Sequence, residues 1–145
     1  MNLKFSDAAC LTALIAFVQL LGAAAPVSAA PSAQFAACQK SAKTQLALDT
    51  CAGAELTMRN KHMQSVYSAI LSHDASQPMA LAKVKAMQQA WLAYAAAYLE
   101  ALYPASNKQA EYGSIYPMEV DLARAGLVQS HTVELQAILS DLTRH

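Results

Sequence analysis

Beyond residue 50 the chain repeats its apolar residues at steps of three and four, three times over. Ala52, Leu56, Met63, Tyr67 and Ile70 fall on one face of a helix expected over about 50–72, with a turn or two more ahead of it at 43–48. Asp74-Ala-Ser76 interrupts the pattern. Ser76 is the expected N-cap of a second helix, and Pro78 suits its first turn. That helix is expected to reach Tyr103, with Val84, Met87, Trp91, Tyr94 or Ala95, Tyr98 and Leu102 as its stripe, and Pro104 stops it. Residues 105–113 read as a loop. A third helix starts near Ile115 or Pro117 and lines up Val128, His131, Leu135, Ile138 and Leu142. Short connections favour antiparallel neighbours, so the pattern predicts an all-α protein, a small up-down bundle of three main helices.

Composition agrees. Alanine, leucine, glutamine, lysine and methionine dominate, and all are good helix formers. Alternating runs of β-branched and aromatic residues, the mark of strands, are missing. No internal repeat is visible.

The first 29 residues follow another logic. Lys4 precedes an apolar run over 8–25, and Val27-Ser28-Ala29 fits the small-x-small rule for cleavage. Gln19 and Pro26 interrupt the run, which is marginal for the roughly 20 residues of a membrane span. Residues 1–29 are therefore expected to be a cleaved signal peptide and 30–145 one exported domain, periplasmic or secreted, without stable membrane insertion after cleavage. Cleavage removes Lys4 and Asp7 and leaves nine cations against nine anions. That balance argues against a nucleic-acid partner, which would call for a basic stripe.

Of three cysteines, Cys10 leaves with the leader. An even pair in an exported chain, Cys38 and Cys51, reads as one disulfide pinning the leading segment to the first long helix. Twelve residues between them argue for a structural bond rather than the redox-active Cys-x-x-Cys spacing.

The residues around that pair resemble a known family. Cys38-Gln-Lys-Ser-Ala42-Lys-Thr44-Gln45 followed by Leu48-Asp49-Thr50-Cys51 is similar to the opening of the LprI-like lysozyme-inhibitor domain family. Leu56 and Met63 through Tyr67 resemble its first-helix pattern. Gln88-Gln-Ala90-Trp91-Leu-Ala-Tyr94 resembles its Gln-x-x-Trp-x-x-Tyr segment. Gly113-Ser114-Ile115-Tyr116-Pro117-Met118 resembles its Gly-Ser loop before the last helix. The chain departs from the family at Ala95-Ala96, where Arg-Asp and then a cysteine are common, and at His131, near the position of an arginine. The resemblance implies a binding protein that occludes a lysozyme, with no catalysis and no cofactor.

Candidate chemistry is sparse. The expected core includes Leu56, Tyr67, Trp91 and Tyr94. The expected partner-binding residues are Tyr112, Gly113, Ser114, Tyr116 and Glu119, on a loop flanked by the acids Glu111, Glu119 and Asp121. Acids there could steer the loop toward a cationic enzyme, and aromatics make good interface anchors. Met58, His62 and Met63 place soft ligands about one helical turn apart, but they do not complete a metal shell. His131, on an apolar stripe, is expected to be a buried or half-buried hydrogen-bonding residue. Ser130 and His131 are adjacent and so point about 100° apart, which is no nucleophile pair. The alternative to inhibition is an envelope structural or stress protein that binds another partner or a metal ion.

Overall fold

A computed structural model describes residues 30–144. The expected signal peptide, 1–29, lies outside the described residues. Five α-helices follow in order: α1 (Ala33–Ser41), α2 (Gln45–His73), α3 (Pro78–Leu102), α4 (Lys108–Tyr112) and α5 (Tyr116–Leu142). Short 3-10 turns, Asp74–Ser76 and Gly113–Ile115, join α2 to α3 and α4 to α5. No strand occurs among the described residues.

The stripes of α2 and α5, and the first half of the α3 stripe through Trp91, face the core as expected. Met63, Val66, Ile70, Val128 and Leu135 form the central core, and Leu56, Tyr67, Val84, Met87, Trp91 and Ile138 pack against it. Ile70 and Leu135 are fully buried, and each such side chain contributes about 1.5–3 kcal/mol by leaving water. Chain direction is up-down-up. Asp121 lies beside Gly53 at one end, and Leu135 joins Ile70 toward the other, so α2 and α5 run parallel. Trp91 meets His131 and Tyr103 meets Tyr116, so α3 is antiparallel to α5. The principal seam joins α2 to α5; α3 touches the pair more sparingly.

Three local expectations change. The link before α3 caps differently: Ser76 sits inside the 3-10 turn, and Gln77 precedes Pro78 with no side-chain cap. Residues 105–113 are not all loop, because Asn107 accepts a hydrogen bond from the Ala110 amide at 3.1 Å and starts the five-residue α4. The second half of α3 also turns differently. Tyr94 is 56% exposed and leaves the expected core, and Tyr98 and Leu102 are exposed as well. Ala95 and Leu99 face inward instead. Inward tyrosines would have to find partners for their hydroxyls in an apolar seam, whereas alanine and leucine carry no such requirement.

The leading segment forms α1, a helix with no sequence stripe. Ser32 caps it, accepting from the Phe35 amide at 3.0 Å. Phe35 is its only buried residue and packs with Cys51 and Ala52, backed by Met118 and Leu122 of α5. The Cys38–Cys51 disulfide holds α1 to α2 across 13 positions. Closing a loop of that size stabilises the fold by about 3 kcal/mol in the chain-entropy model.

A second fastening lies beside the disulfide. Glu55 and Arg59 are both buried, one turn apart on α2, and pair at 2.6 Å. The Glu55 carboxylate accepts hydrogen bonds from the Ser32 amide (3.1 Å) and the Ser32 hydroxyl. Arg59 donates to the Ala30 carbonyl at 2.9 Å. Burial alone would push the Glu55 carboxyl up; the hydrogen bonds from Ser32 and Arg59, with the guanidinium charge, outweigh it and hold the group below its ordinary value. A charge pair out of water is tolerable only when its remaining hydrogen-bonding capacity is filled, as here.

Candidate functional site

The residues expected to meet a partner gather at the end of the bundle where α3 stops and α5 starts. Pro104 follows the last residues of α3, and the Tyr103 amide makes the closing bond to the Leu99 carbonyl at 2.9 Å. Lys108 then reaches back across the turn. Its ammonium donates to the Tyr103 carbonyl at 2.7 Å, the Ala105 carbonyl at 3.4 Å and Glu100 at 2.9 Å. It satisfies the free carbonyls of a helix C-terminus and complements its negative end. The hydrogen bond to Glu100, more than any other contact, holds the Lys108 ammonium above its ordinary value.

Three tyrosines brace the corner. Tyr103 meets Tyr112 and Tyr116 edge-on at centroid distances of 5.3 and 5.1 Å, and Tyr112 stacks on Tyr116 at 5.7 Å. The Tyr112 hydroxyl accepts from the Ala105 amide at 3.2 Å. Burial raises the Tyr103 phenol first, and the nearby Glu119 charge raises it further, so this hydroxyl stays protonated at neutral pH. Such aromatic pairs add about 0.5–1.5 kcal/mol each beyond the area they bury.

Between α4 and α5 the backbone needs glycine. Gly113 has φ 69° and ψ −161°, a region that side-chain-bearing residues avoid. No atom lies within 4 Å of where a Cβ would sit, so the constraint is conformational and not one of space. The 3-10 turn that follows carries Ser114 and Ile115 outward, and Ile115 is 42% exposed. Glu119 occupies the first turn of α5, where the helix dipole favours an anion.

The structure thus brings Tyr112, Gly113, Ser114, Tyr116 and Glu119 into one corner, with different roles. Tyr112 and Tyr116 are half-buried in the brace; Ser114 and Ile115 form the exposed tip. Ile115 was not singled out for binding in the sequence, although no core stripe absorbs it. The acids divide too. Glu111 is exposed at the corner, whereas Asp121 faces Gly53 of α2, and burial raises its carboxyl against the opposing pull of Arg124.

The remaining candidates lie elsewhere. Trp91 is half-buried and stacks flat on the His131 ring, centroids 4.3 Å apart and planes 7° apart. His131 is buried, as its stripe position implied, with Nε2 2.9 Å from Gln88 Oε1 and Nδ1 3.0 Å from Glu134 Oε2. Met58 and His62 lie on the exposed side of α2, and His62 comes within 3.4 Å of Gln136. Among the described residues, no three His, Cys, Asp or Glu side chains converge as a metal shell would require. No described helix is long and apolar enough to cross a membrane.

A helical domain, stapled at its first helix and carrying a glycine-dependent turn before its last, is the arrangement that the early resemblance implied. The family model described as "Lysozyme inhibitor LprI" matches residues 36–135, which run from α1 through most of α5 and include both disulfide cysteines and the whole tyrosine corner. The chain belongs to this family, a family of inhibitors rather than catalysts. No curated protein and no solved structure matches it.

Proposed function

We propose that this protein is exported and binds a lysozyme, blocking the enzyme's cleft with the turn at 113–119. Membership of the lysozyme-inhibitor family carries the reading. The braced corner supports it physically: Gly113, the tyrosine triangle and the Lys108 cap hold an exposed Ser114–Ile115 tip in one conformation before any partner arrives. Preorganisation of this kind lowers the entropy lost on binding. Animal-type lysozymes are strongly cationic and work with two carboxylates in a cleft. Glu111 and Glu119 near the tip would favour approach to such a surface. Export is supported by the disulfide, which needs an oxidising compartment to persist.

The test is lysis of a cell-wall suspension by an animal-type lysozyme in the presence of the oxidised protein. Inhibition is expected, with a one-to-one complex on a sizing column. Ser114→Arg places bulk and positive charge at an exposed position, so the fold should be retained while affinity falls roughly tenfold or more. Glu119→Lys should weaken it in the same direction. Full lysis and no complex at micromolar concentration would remove the proposal and favour the alternative reading of an envelope protein with another partner.

A further inference from the structure

Aromatic rings stand between α3 and α5 at two places, and between those places α3 turns Ala95, Ala96 and Leu99 toward the gap it shares with α2. Toward its middle, the stacked pair Trp91–His131 stands between α3 and α5. At its C-terminal end, Tyr103 stands against Tyr112 and Tyr116. Between those places Ala95 and Ala96, with side chains of a single methyl, border the gap. The result is a cleft of about 350 Å³ shared by α2, α3 and α5 and open to solvent on one side. Its volume lies in the range of small-molecule sites. From Trp91 to Leu99 it follows α3 for about 12 Å, at the rise of an α-helix.

The chemistry of the lining is unequal. Leu56 and Met63 of α2, Trp91 and Leu99 of α3, and Leu127 and Val128 of α5 make an apolar trough. Only three polar side chains border it, Asn60, Gln64 and Arg124, and Arg124 is the one formal charge. Arg124 is exposed and forms no ion pair among the described residues; Asp121, one turn back, feels its charge without closing a bridge. A planar guanidinium with free donors beside a wet apolar trough matches a ligand with a hydrocarbon chain and one oxyanion.

We infer that the α2–α3–α5 cleft is a binding site for a single-chain amphiphile with an anionic head, its chain lying along Ala95–Ala96 and its carboxylate or phosphate on Arg124. This site is separate from the tyrosine corner and does not depend on lysozyme binding. Its hydrocarbon lining discriminates poorly between chains, so selectivity rests on the head group.

Trp91 lines the cleft and is the only tryptophan in the chain, so its emission reports occupancy directly. The oxidised protein is titrated with dodecanoate, dodecyl phosphate and neutral dodecyl glucoside, each below its micelle concentration. Saturable emission changes are expected with one or both anions, and at least tenfold weaker changes with the glucoside. Arg124→Gln, at an exposed position, should weaken anion binding about tenfold and leave the unliganded spectrum unchanged. Ala96→Leu should abolish it by filling the trough, with helix content intact; Ala95→Leu is the second filling variant. No saturable change with either anion, equal response to the glucoside, or unchanged binding in Arg124→Gln would overturn the inference.

Discussion

The two helices that flank the α2–α5 pair are secured by opposite means. Helix α1 is short and amphipathic only in a token sense, with Phe35 as its one buried residue. It stays in place through a disulfide and a buried carboxylate that grips the residues leading into it. Helix α3 is nearly three times as long, yet neither covalent bond nor ion pair joins it to α2 or α5 among the described residues. Aromatic spacers, apolar contacts and the buried Gln88–His131 hydrogen bond hold it, and a cleft remains beneath it. Little buried area is enough for an element that is covalently tied. An element held chiefly by packing, with the buried Gln88–His131 hydrogen bond as its polar tie to α5, keeps whatever gaps its small side chains leave, and those gaps are where ligands fit.

That contrast can be broken most sharply at Glu55. Glu55→Ala leaves Arg59 buried without its partner and frees Ser32, so unfolding free energy should fall by about 3–5 kcal/mol in a denaturant titration. Removing the disulfide, as Cys38→Ser with Cys51→Ser, should cost about 3 kcal/mol by the same measurement. In both variants the loss should show in amide exchange of α1, with the Trp91 environment on α3 retained until global unfolding. On the other side of the contrast, His131→Leu removes the stacked ring and leaves the buried Gln88 amide unpaired. A loss of about 1–3 kcal/mol is expected, with a shift in Trp91 emission and little change in α1.

The smallest effect is the dependence on pH. Glu55 has a folded value below its ordinary one. Its contribution is therefore complete above the usual glutamate value of about 4.3 and is lost as pH falls through the lower folded value. Asp121 has the opposite sign, since burial raises its folded value; its ionisation costs stability as pH rises through that value. Melting temperature should drop below about pH 4 in the parent protein and less steeply in Glu55→Gln. Asp121→Asn should gain slightly at neutral pH. Identical acid profiles for the parent and Glu55→Gln would show that the carboxylate does not fasten α1.

The long helices, their stops and the disulfide could be read before any coordinates, because each is written locally. Apolar steps of three and four place Met63, Ile70, Val128 and Leu135 on buried faces, Pro78 and Pro104 punctuate α3, and of three cysteines Cys38 and Cys51 are the pair outside the expected leader. The family match, over residues 36–135, spans both cysteines and the helices these motifs lie on. Other features depended on neighbours distant in sequence. Glu55 and Arg59 look like an ordinary exposed pair one turn apart; in the fold they are buried, with Ser32 and Ala30 bonded to them from the leading segment. Whether Tyr94 or Ala95 faced inward could not be decided by periodicity, since both continue the stripe from Trp91. The packing of α3 against α5 decided it, by the cost of burying a hydroxyl without a partner. Local pattern determines which residues can form a helix and which face is apolar. The cleft, the braced corner and the buried carboxylate exist only where separate helices meet, because burial and hydrogen-bond satisfaction are properties of the assembled fold.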